Sequence, residues 1–150
     1  MTRWLDEDEQ RTWRALLGAV DVLQTGLDAQ LQADAGMPHT YYEVLVRLSE
    51  APKQQLRMSA LAQAAGSSRS RLSHAVGQLE ARGWVRREPC PSDRRGQVAE
   101  LTAAGFAALE QAAPGHVASV RALLFDRLTP TQVGQLRRIG EAVLGAPQRG

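Results

Sequence analysis

The segment from Ser67 to Glu88, SSRSRLSHAVGQLEARGWVRRE, changes its pattern abruptly at Gly83. Before this glycine, apolar residues recur at the i, i+3, i+4 and i+7 spacing that forms one stripe along a helix. The stripe consists of Leu72, Ala75, Val76 and Leu79. Glycine suits the left-handed backbone at a helix end, and WVRRE after it has the pattern of a short strand. Because the first turns of the predicted helix are polar and arginine-rich, they are expected to face something other than the protein core.

A shorter helix is predicted just before this one. It carries Leu61 and Ala62, begins at a Ser59 cap and ends at Gly66. Two such helices joined by a three-residue turn form a helix-turn-helix, in which the second helix enters the major groove of DNA and contacts base edges. The predicted contact residues of this recognition helix are Ser67, Ser68, Arg69, Ser70, Arg71, Ser73 and His74.

The side chains at the start of the recognition helix have the chemistry that DNA requires. Arginine can donate two hydrogen bonds to guanine, and serine can bond bases or phosphates. The helix start also presents unpaired N–H groups to phosphate. The alternative interpretation is a capped surface helix whose arginines are only solvated.

A β-hairpin is predicted after the recognition helix, with WVRRE as its first strand and QVAELT as its second. The turn-rich sequence PCPSDRRG joins the strands as a long loop. The predicted DNA contacts of this wing are Arg87, Asp93, Arg94 and Arg95. An arginine on a narrow tip fits the minor groove of DNA, and the Asp93 carboxylate can hold the Arg95 guanidinium in place. The alternative is an ordinary charged turn, in which such an ion pair contributes about 0–1 kcal/mol.

Charge is unevenly distributed along the chain, although its formal net charge is only +2. From Lys53 to Glu100 there are nine basic and four acidic residues, against nine and twelve in the remainder. This asymmetry indicates that the central segment faces a polyanion and that the two ends do not.

Further helices are predicted on both sides of this central region. A long helix covers about Asp6 to Ala35 and ends at Gly36 and Pro38, and a second covers Tyr41 to Glu50. Thr40 and Glu43 have the spacing of a capping box for the second helix, and LRM, residues 56–58, is a candidate short strand. After the hairpin, Thr102 caps a helix that Pro114-Gly115 is expected to kink or split. A last helix begins at Thr129-Pro130 and ends at Gly145-Ala-Pro147.

The terminal helices carry apolar stripes that a second subunit can cover. The residues concerned are Trp13, Leu16, Leu17, Val20, Leu23, Leu27, Leu31, Val117, Val120, Leu123, Leu124, Leu128, Val133, Leu136, Ile139 and Val143. Part of this surface can be one chain's own core. A protein that reads two half-sites about one DNA turn apart also needs a second subunit, so a homodimer is predicted.

The central segment resembles the winged helix-turn-helix core of MarR-type (multiple antibiotic resistance) transcriptional regulators, and a similar helix order extends the resemblance over nearly the whole chain. The residues that carry it are Leu56, Leu61 and Ala62 before the recognition helix and Asp93, Arg95, Leu101, Thr102 and Gly105 around the wing. The resemblance implies a mainly α fold with a small β-hairpin wing, flanked by N- and C-terminal dimerisation helices. It divides the single domain, residues 1–150, into a DNA-binding lobe at 40–102 and dimerisation helices at 1–36 and 103–150.

The same resemblance implies a function. It implies a homodimer bound to a pseudo-palindromic operator in double-stranded DNA, usually as a repressor, with Arg95 as the wing arginine supported by Asp93. It also implies a ligand crevice between the dimer helices and the DNA-binding lobe. Trp13, His39, Tyr41 and Tyr42 are the candidate lining residues, and aromatic rings with polar tips suit a small aromatic or carboxylate ligand. The alternative is that these four residues are packed core.

Oxidation of a cysteine is a second possible signal, because some members of the resembled family sense peroxides through an N-terminal thiol. The one cysteine here is Cys90, in the wing between two prolines. It has no resolving cysteine in its own chain, so a small-molecule signal is favoured over oxidation.

Other classes of function find little support in the sequence. The three histidines share no metal-ligand spacing, and there is no nucleophile signature or phosphate-binding glycine loop, so no enzyme, metal or cofactor is predicted. No window of about 18 apolar residues occurs, and the acidic N-terminus lacks a signal-peptide core, so a cytoplasmic protein is expected. The alternatives to a regulator are an architectural DNA-binding protein without a sensor and a winged-helix protein-interaction module.

Overall fold

The computed structural model describes residues 1–145. The chain forms two compact units. The central unit is Asp28–His116, and the terminal unit combines Met1–Leu27 with the described residues from Val117 onward.

The fold is mainly helical with one small antiparallel sheet, as the sequence predicts. Its helices are α1 (Glu7–Ala35), α2 (His39–Glu50), α3 (Met58–Ala64), α4 (Arg69–Ala81), α5 (Ala103–Leu123) and α6 (Pro130–Leu144). Its strands are β1 (Gln55–Arg57), β2 (Val85–Cys90) and β3 (Asp93–Leu101), in the sheet order β1-β3-β2. Short 3₁₀ turns occupy Pro52–Gln54 and Phe125–Arg127.

The hydrophobic core of the central unit lies where α2, α3, α4 and the base of the sheet meet. The predicted stripe of α4 is buried throughout, and so are the inward residues of α2. The members of this core are Leu31, Met37, Tyr42, Val44, Leu45, Leu48, Leu61, Ala62, Leu72, Val76, Leu79, Val85, Ala99, Leu101, Leu109 and Ala112.

The helix-turn-helix has the predicted order, with one local difference at its start. Ser68 caps α4, because its Oγ accepts a hydrogen bond from the backbone N–H of Arg71 at 3.2 Å. Gly66 and Gly83 have φ of +60° and +74°, values that favour glycine. The predicted Ser59 cap is wrong. β1 leads directly into α3, so the helix begins at Met58 with no side-chain cap.

The hairpin has a shorter turn than predicted. Its strands continue to the tip, where Cys90 pairs with Asp93 and only Pro91 and Ser92 form the turn. The long loop was therefore a wrong prediction. Proline fixes the φ that the second position of a tight turn needs, and an irregularity between Pro89 and Cys90 adjusts the register.

The start of α2 also differs from its prediction. The helix begins at His39, whose backbone N–H donates to Asp28 Oδ1 at 2.9 Å. Thr40 is therefore a helical residue and not the cap of a capping box. Pro38 occupies the cap position with φ −63° and ψ 151° and no side-chain bond, so a carboxylate from α1 supplies the missing acceptor.

Thr102 begins α5 as predicted. Its Oγ1 accepts a hydrogen bond from the Gly105 backbone N–H at 3.0 Å and donates one to the Gly83 carbonyl at 2.6 Å. Gly105 lies so close to the residue before β2 that a Cβ there would be 2.1 Å from the Trp84 carbonyl oxygen.

α5 is not split at Pro114. Pro114 removes one backbone hydrogen bond from the helix. The helix continues because the turns before the proline are packed in the core, where Leu109 and Ala112 are buried.

The terminal unit contains an N-terminal part of α1, the end of α5, and α6. α6 starts at Thr129-Pro130, with the proline in its first turn, as predicted, and the structure adds a capping box between Thr129 and Gln132. Gly145 ends the helix with φ +71°, and the predicted terminator Pro147 lies outside the described residues. Within this unit, no described residue is buried in the single chain.

Candidate nucleic-acid interface

The first two turns of α4 are exposed on the side away from the core. Ser68, Arg69, Ser70, Arg71, Ser73 and His74 are all exposed, whereas Ser67 is half-buried. Because the helix buries Leu72 and Ala75 on its other side, it is fixed with this polar face outward. The structure thus places most of the predicted recognition residues on one accessible surface.

The wing places its two neighbouring arginines at the start of β3, next to the turn. Arg94 and Arg95 are both exposed. Asp93 Oδ1 accepts a hydrogen bond from the backbone N–H of Arg95 at 3.0 Å. The predicted pairing of this carboxylate with the Arg95 guanidinium is absent among the described ion pairs. Asp93 therefore orders the backbone of the wing and leaves the guanidinium free.

An open groove of about 570 Å³ lies between the wing and the helix-turn-helix. Its lining residues are Arg57, Met58, Ser59, Arg69, Leu72, Ser73, Pro89, Asp93, Arg94, Arg95, Gly96 and Gln97. Four of these are arginines and one is acidic, so the groove is strongly cationic. A surface of this charge attracts the phosphate backbone of a nucleic acid.

Arg57 belongs to this groove although sequence reasoning missed it. Its Nη2 donates a hydrogen bond to Ser92 Oγ in the turn of the wing at 2.7 Å. The short pattern LRM predicts the strand but does not indicate that Arg57 bonds Ser92. That contact depends on the pairing of β1 with β3, which sets Arg57 opposite Val98. Ser92 also shares a hydrogen bond with Cys90 Sγ at 3.4 Å, and this bond lowers the pKa of the Cys90 thiol.

Arg87 does not extend into solvent as a predicted wing contact would. Its Nε donates to Glu80 Oε1 at 2.5 Å and its Nη1 to Ser73 Oγ at 3.1 Å. We call these three residues the Arg87 brace. It connects β2 to α4. The side chains of Arg87 and Glu80 are 25% and 33% exposed, so the ion pair itself adds about 0–1 kcal/mol to stability.

Three of the candidate crevice residues, His39, Tyr41 and Tyr42, lie in the central unit but do not share one set of neighbours. His39 and Tyr42 both adjoin His116 of α5, with ring centroids 5.6 Å and 4.2 Å apart respectively. Tyr41 lies instead beneath the Arg82 guanidinium, 5.5 Å from its ring centroid. Tyr42 is 5% exposed and belongs to the core, as the alternative interpretation holds. Trp13 is in the terminal unit and 52% exposed.

His116 is a half-buried histidine whose pKa is shifted by its surroundings. Burial lowers the pKa of His116 below its usual 6.5, the positive charge of His39 lowers it further, and Glu43 opposes both. Its Nδ1 is buried and has no hydrogen-bond partner among residues 1–145.

We expect the melting temperature to fall as the pH is lowered from 7.5 to 5.5. In the unfolded chain, His116 gains a proton below about pH 6.5. In the folded chain, His116 stays neutral until the pH reaches its lower folded-state pKa, so the free energy of unfolding declines between the two pKa values. His116→Leu should flatten this decline in a thermal melt. The exposed-histidine control His74→Leu should retain it, and an equal decline in both variants would assign the effect to other groups.

The described part of the chain gives no sign of a metal centre or a membrane span. Across residues 1–145, no three His, Cys, Asp or Glu side chains are grouped so that they could hold a metal ion. No helix described there combines the length and apolar character needed to cross a bilayer.

Comparison with known proteins supports the family resemblance. The MarR family model matches residues 35–96. The transcriptional repressor MprA of Escherichia coli K12 is 29% identical over 109 residues, which are 73% of this chain and 61% of that repressor. The matched segment therefore spans less than two thirds of the repressor's length.

Two solved structures are similar over nearly the full chain. Sco3205, a MarR family transcriptional regulator from Streptomyces coelicolor crystallised in complex with DNA, is 53% identical with a TM-score of 0.92, covering 99% of this chain and 94% of that one. AbsC, a MarR family transcriptional regulator from the same organism, is 42% identical with a TM-score of 0.87, covering 96% of this chain and 99% of its own. This chain belongs to the MarR family.

Proposed function

We propose that the protein is a sequence-specific DNA-binding transcriptional regulator that acts as a dimeric repressor. The observation that carries this proposal is the cationic groove, which combines the exposed start of α4 with the wing arginines. Recognition helices of this kind read base edges in the major groove, and an arginine beside them can enter the minor groove. The similarity to a regulator crystallised with DNA and to a protein named a repressor supports the same function.

The dimer is proposed from the surface of the terminal unit. Its α1 stripe is open to solvent, with Trp13, Leu16, Leu17 and Val20 between 39% and 52% exposed. On α6, Ile139 is 58% exposed. Large apolar side chains exposed at i, i+3, i+4 and i+7 lie on one face of a helix, and such a face is typical of an interaction site. A second copy of the chain is the occupant that also supplies the second recognition helix of a palindromic operator.

Footprinting on the DNA that adjoins the protein's own gene tests this function. A dimer should protect a pseudo-palindromic segment, the operator, with half-site centres about one helical turn apart. Protection should weaken steeply as salt rises, because bound arginines release counterions from phosphates. Uniform protection of all sequences would favour the architectural alternative, and no protection at any salt concentration would favour a protein-interaction module.

Arg95 is proposed to enter the minor groove from the wing. We expect Arg95→Ala to weaken operator binding about tenfold, which corresponds to losing one favourable arginine contact. The dimer and its melting temperature should remain nearly unchanged because the side chain is exposed. Fluorescence anisotropy with labelled operator measures the affinity. Unchanged affinity, or a variant that unfolds, would show that Arg95 does not act through DNA.

A small aromatic or carboxylate effector stays a prediction. His39 and Tyr42 share a neighbourhood with His116, whereas Tyr41 adjoins Arg82. A gel-shift release screen on wild type and Cys90→Ser separates the two proposed signals. Release of both proteins by an aromatic acid supports an effector, whereas release of wild type alone by peroxide assigns sensing to the thiol.

A further inference from the structure

The wing and the recognition helix are joined by hydrogen bonds from a side chain of β2. In the Arg87 brace, a strand side chain bonds two residues of α4 that are seven positions apart, Ser73 and Glu80. Two bonds from one planar guanidinium fix direction as well as distance. The brace therefore limits how far β2 can swing or slide relative to α4.

This limit matters because DNA must be contacted in two places at once. Arg69 and Arg71 lie on α4, whereas Arg95 lies on β3, which pairs with β2. Any rotation of the hairpin about its base moves Arg95 relative to α4. The contact from Arg57 to Ser92 holds the tip, but the brace is the connection made by the recognition helix itself.

We propose that Glu80 and Arg87 are positioning residues for DNA recognition: the Arg87 brace sets the wing at the angle from which Arg95 and the recognition helix contact one half-site together. This inference rests on the proposed DNA-binding function. It assigns Arg87 a role within the protein in place of the direct DNA contact predicted from sequence. It also assigns a role to Glu80, an acidic residue that a simple charge argument would count against DNA binding.

Neutralising Glu80 separates positioning from electrostatics because the two effects have opposite signs. Glu80→Gln removes a negative charge from the recognition helix and replaces the charge-assisted bond to Arg87 by a weaker one to an amide oxygen. The loss of negative charge alone predicts tighter DNA binding. Positioning predicts weaker binding, by about fivefold to twentyfold, the size typical of coupled side chains. Glu88→Gln is the matched control, since Glu88 is an exposed carboxylate on β2 and lies outside the brace. That control should bind as tightly as wild type or slightly tighter.

The experiment measures operator affinity by fluorescence anisotropy for wild type, Glu80→Gln, Glu88→Gln and Glu80→Asp. The aspartate variant keeps the charge and shortens the side chain by one methylene, so any loss it shows comes from geometry. Melting temperatures are recorded in parallel. If Glu80→Gln is incompletely folded at the assay temperature, Glu80→Asp decides the result alone.

A second readout distinguishes positioning from a general loss of stability. Arg95→Ala should cost less affinity in the Glu80→Gln background than in wild type, because an unbraced wing already presents Arg95 poorly. Weaker binding by both Glu80 variants together with this reduced cost supports the proposal. Glu80→Gln binding as tightly as Glu88→Gln, or an undiminished cost of Arg95→Ala, overturns it. Failure of wild type to bind any operator would instead overturn the underlying function.

Discussion

We expect operator affinity to fall about 10²- to 10³-fold when Arg69 and Arg71 are both replaced by alanine. Each bidentate contact between arginine and guanine contributes about 1–3 kcal/mol of discrimination against a wrong base. Both arginines are exposed at the front of α4, and their removal leaves the buried side of the helix unchanged. Affinity for scrambled DNA should fall less, so the ratio of specific to non-specific binding also shrinks.

The matched control for this variant is Arg137→Ala with Arg138→Ala. These two arginines are likewise exposed on one helix, so the control removes the same charge from the terminal unit. Anisotropy titrations with operator and scrambled duplex should show near wild-type binding for the control. Unchanged operator binding by the Arg69 and Arg71 variant, or an equal loss in the control, would contradict the assignment of α4 as the recognition helix.

The second large effect concerns assembly, and we expect Leu17→Asp to convert the dimer to a monomer at micromolar concentration. Leu17 is 49% exposed in the single chain and lies in the apolar stripe of α1. Burying a carboxylate without a partner in an apolar interface costs several kcal/mol. Because a palindromic operator needs both subunits, operator affinity should collapse together with the dimer. Light scattering coupled to size exclusion measures the mass.

Val22→Asp is the control for the dimer prediction. Val22 is 50% exposed on the same helix but lies about 140° around the helix axis from Leu17. The Val22→Asp variant should remain a dimer of normal operator affinity. A substitution is a better test than deletion of residues 1–35, because the deletion would also remove Leu31, which is fully buried in the core of the central unit. A Leu17→Asp protein that stays dimeric would place the interface elsewhere.

Local signals in the sequence were sufficient for most of the fold. The stripe of α4 is buried as its spacing predicts, and Thr102 and Thr129 cap their helices. Each of these features depends on residues within one or two helical turns. At the start of α2, in contrast, a distant residue decides the outcome. Asp28 of α1 bonds the start of α2, so the local capping signal at Thr40 did not apply.

The same limit applies to the candidate site. Exposed arginines at the front of α4 and on the wing followed from helical spacing and the hairpin pattern. The Arg87 brace did not, because Glu80 and Ser73 lie on the helix before the Gly83 turn, and the sequence does not show how β2 folds back against that helix. A strand arginine after a helix also fits a DNA contact equally well. Likewise, His116 is far along the chain from His39 and Tyr42. Only the packing of α5 against α2 brings them together.

The central claim, sequence-specific recognition by a dimer, is tested most directly by selecting bound duplexes from a random-sequence pool and measuring the affinity of the most enriched one. We predict a pseudo-palindrome with half-site centres about one helical turn apart. We also predict that it binds at least about 10³-fold more tightly than its shuffled sequence at physiological salt. A pool without an enriched palindrome, or equal affinity for enriched and shuffled duplexes, would contradict the account.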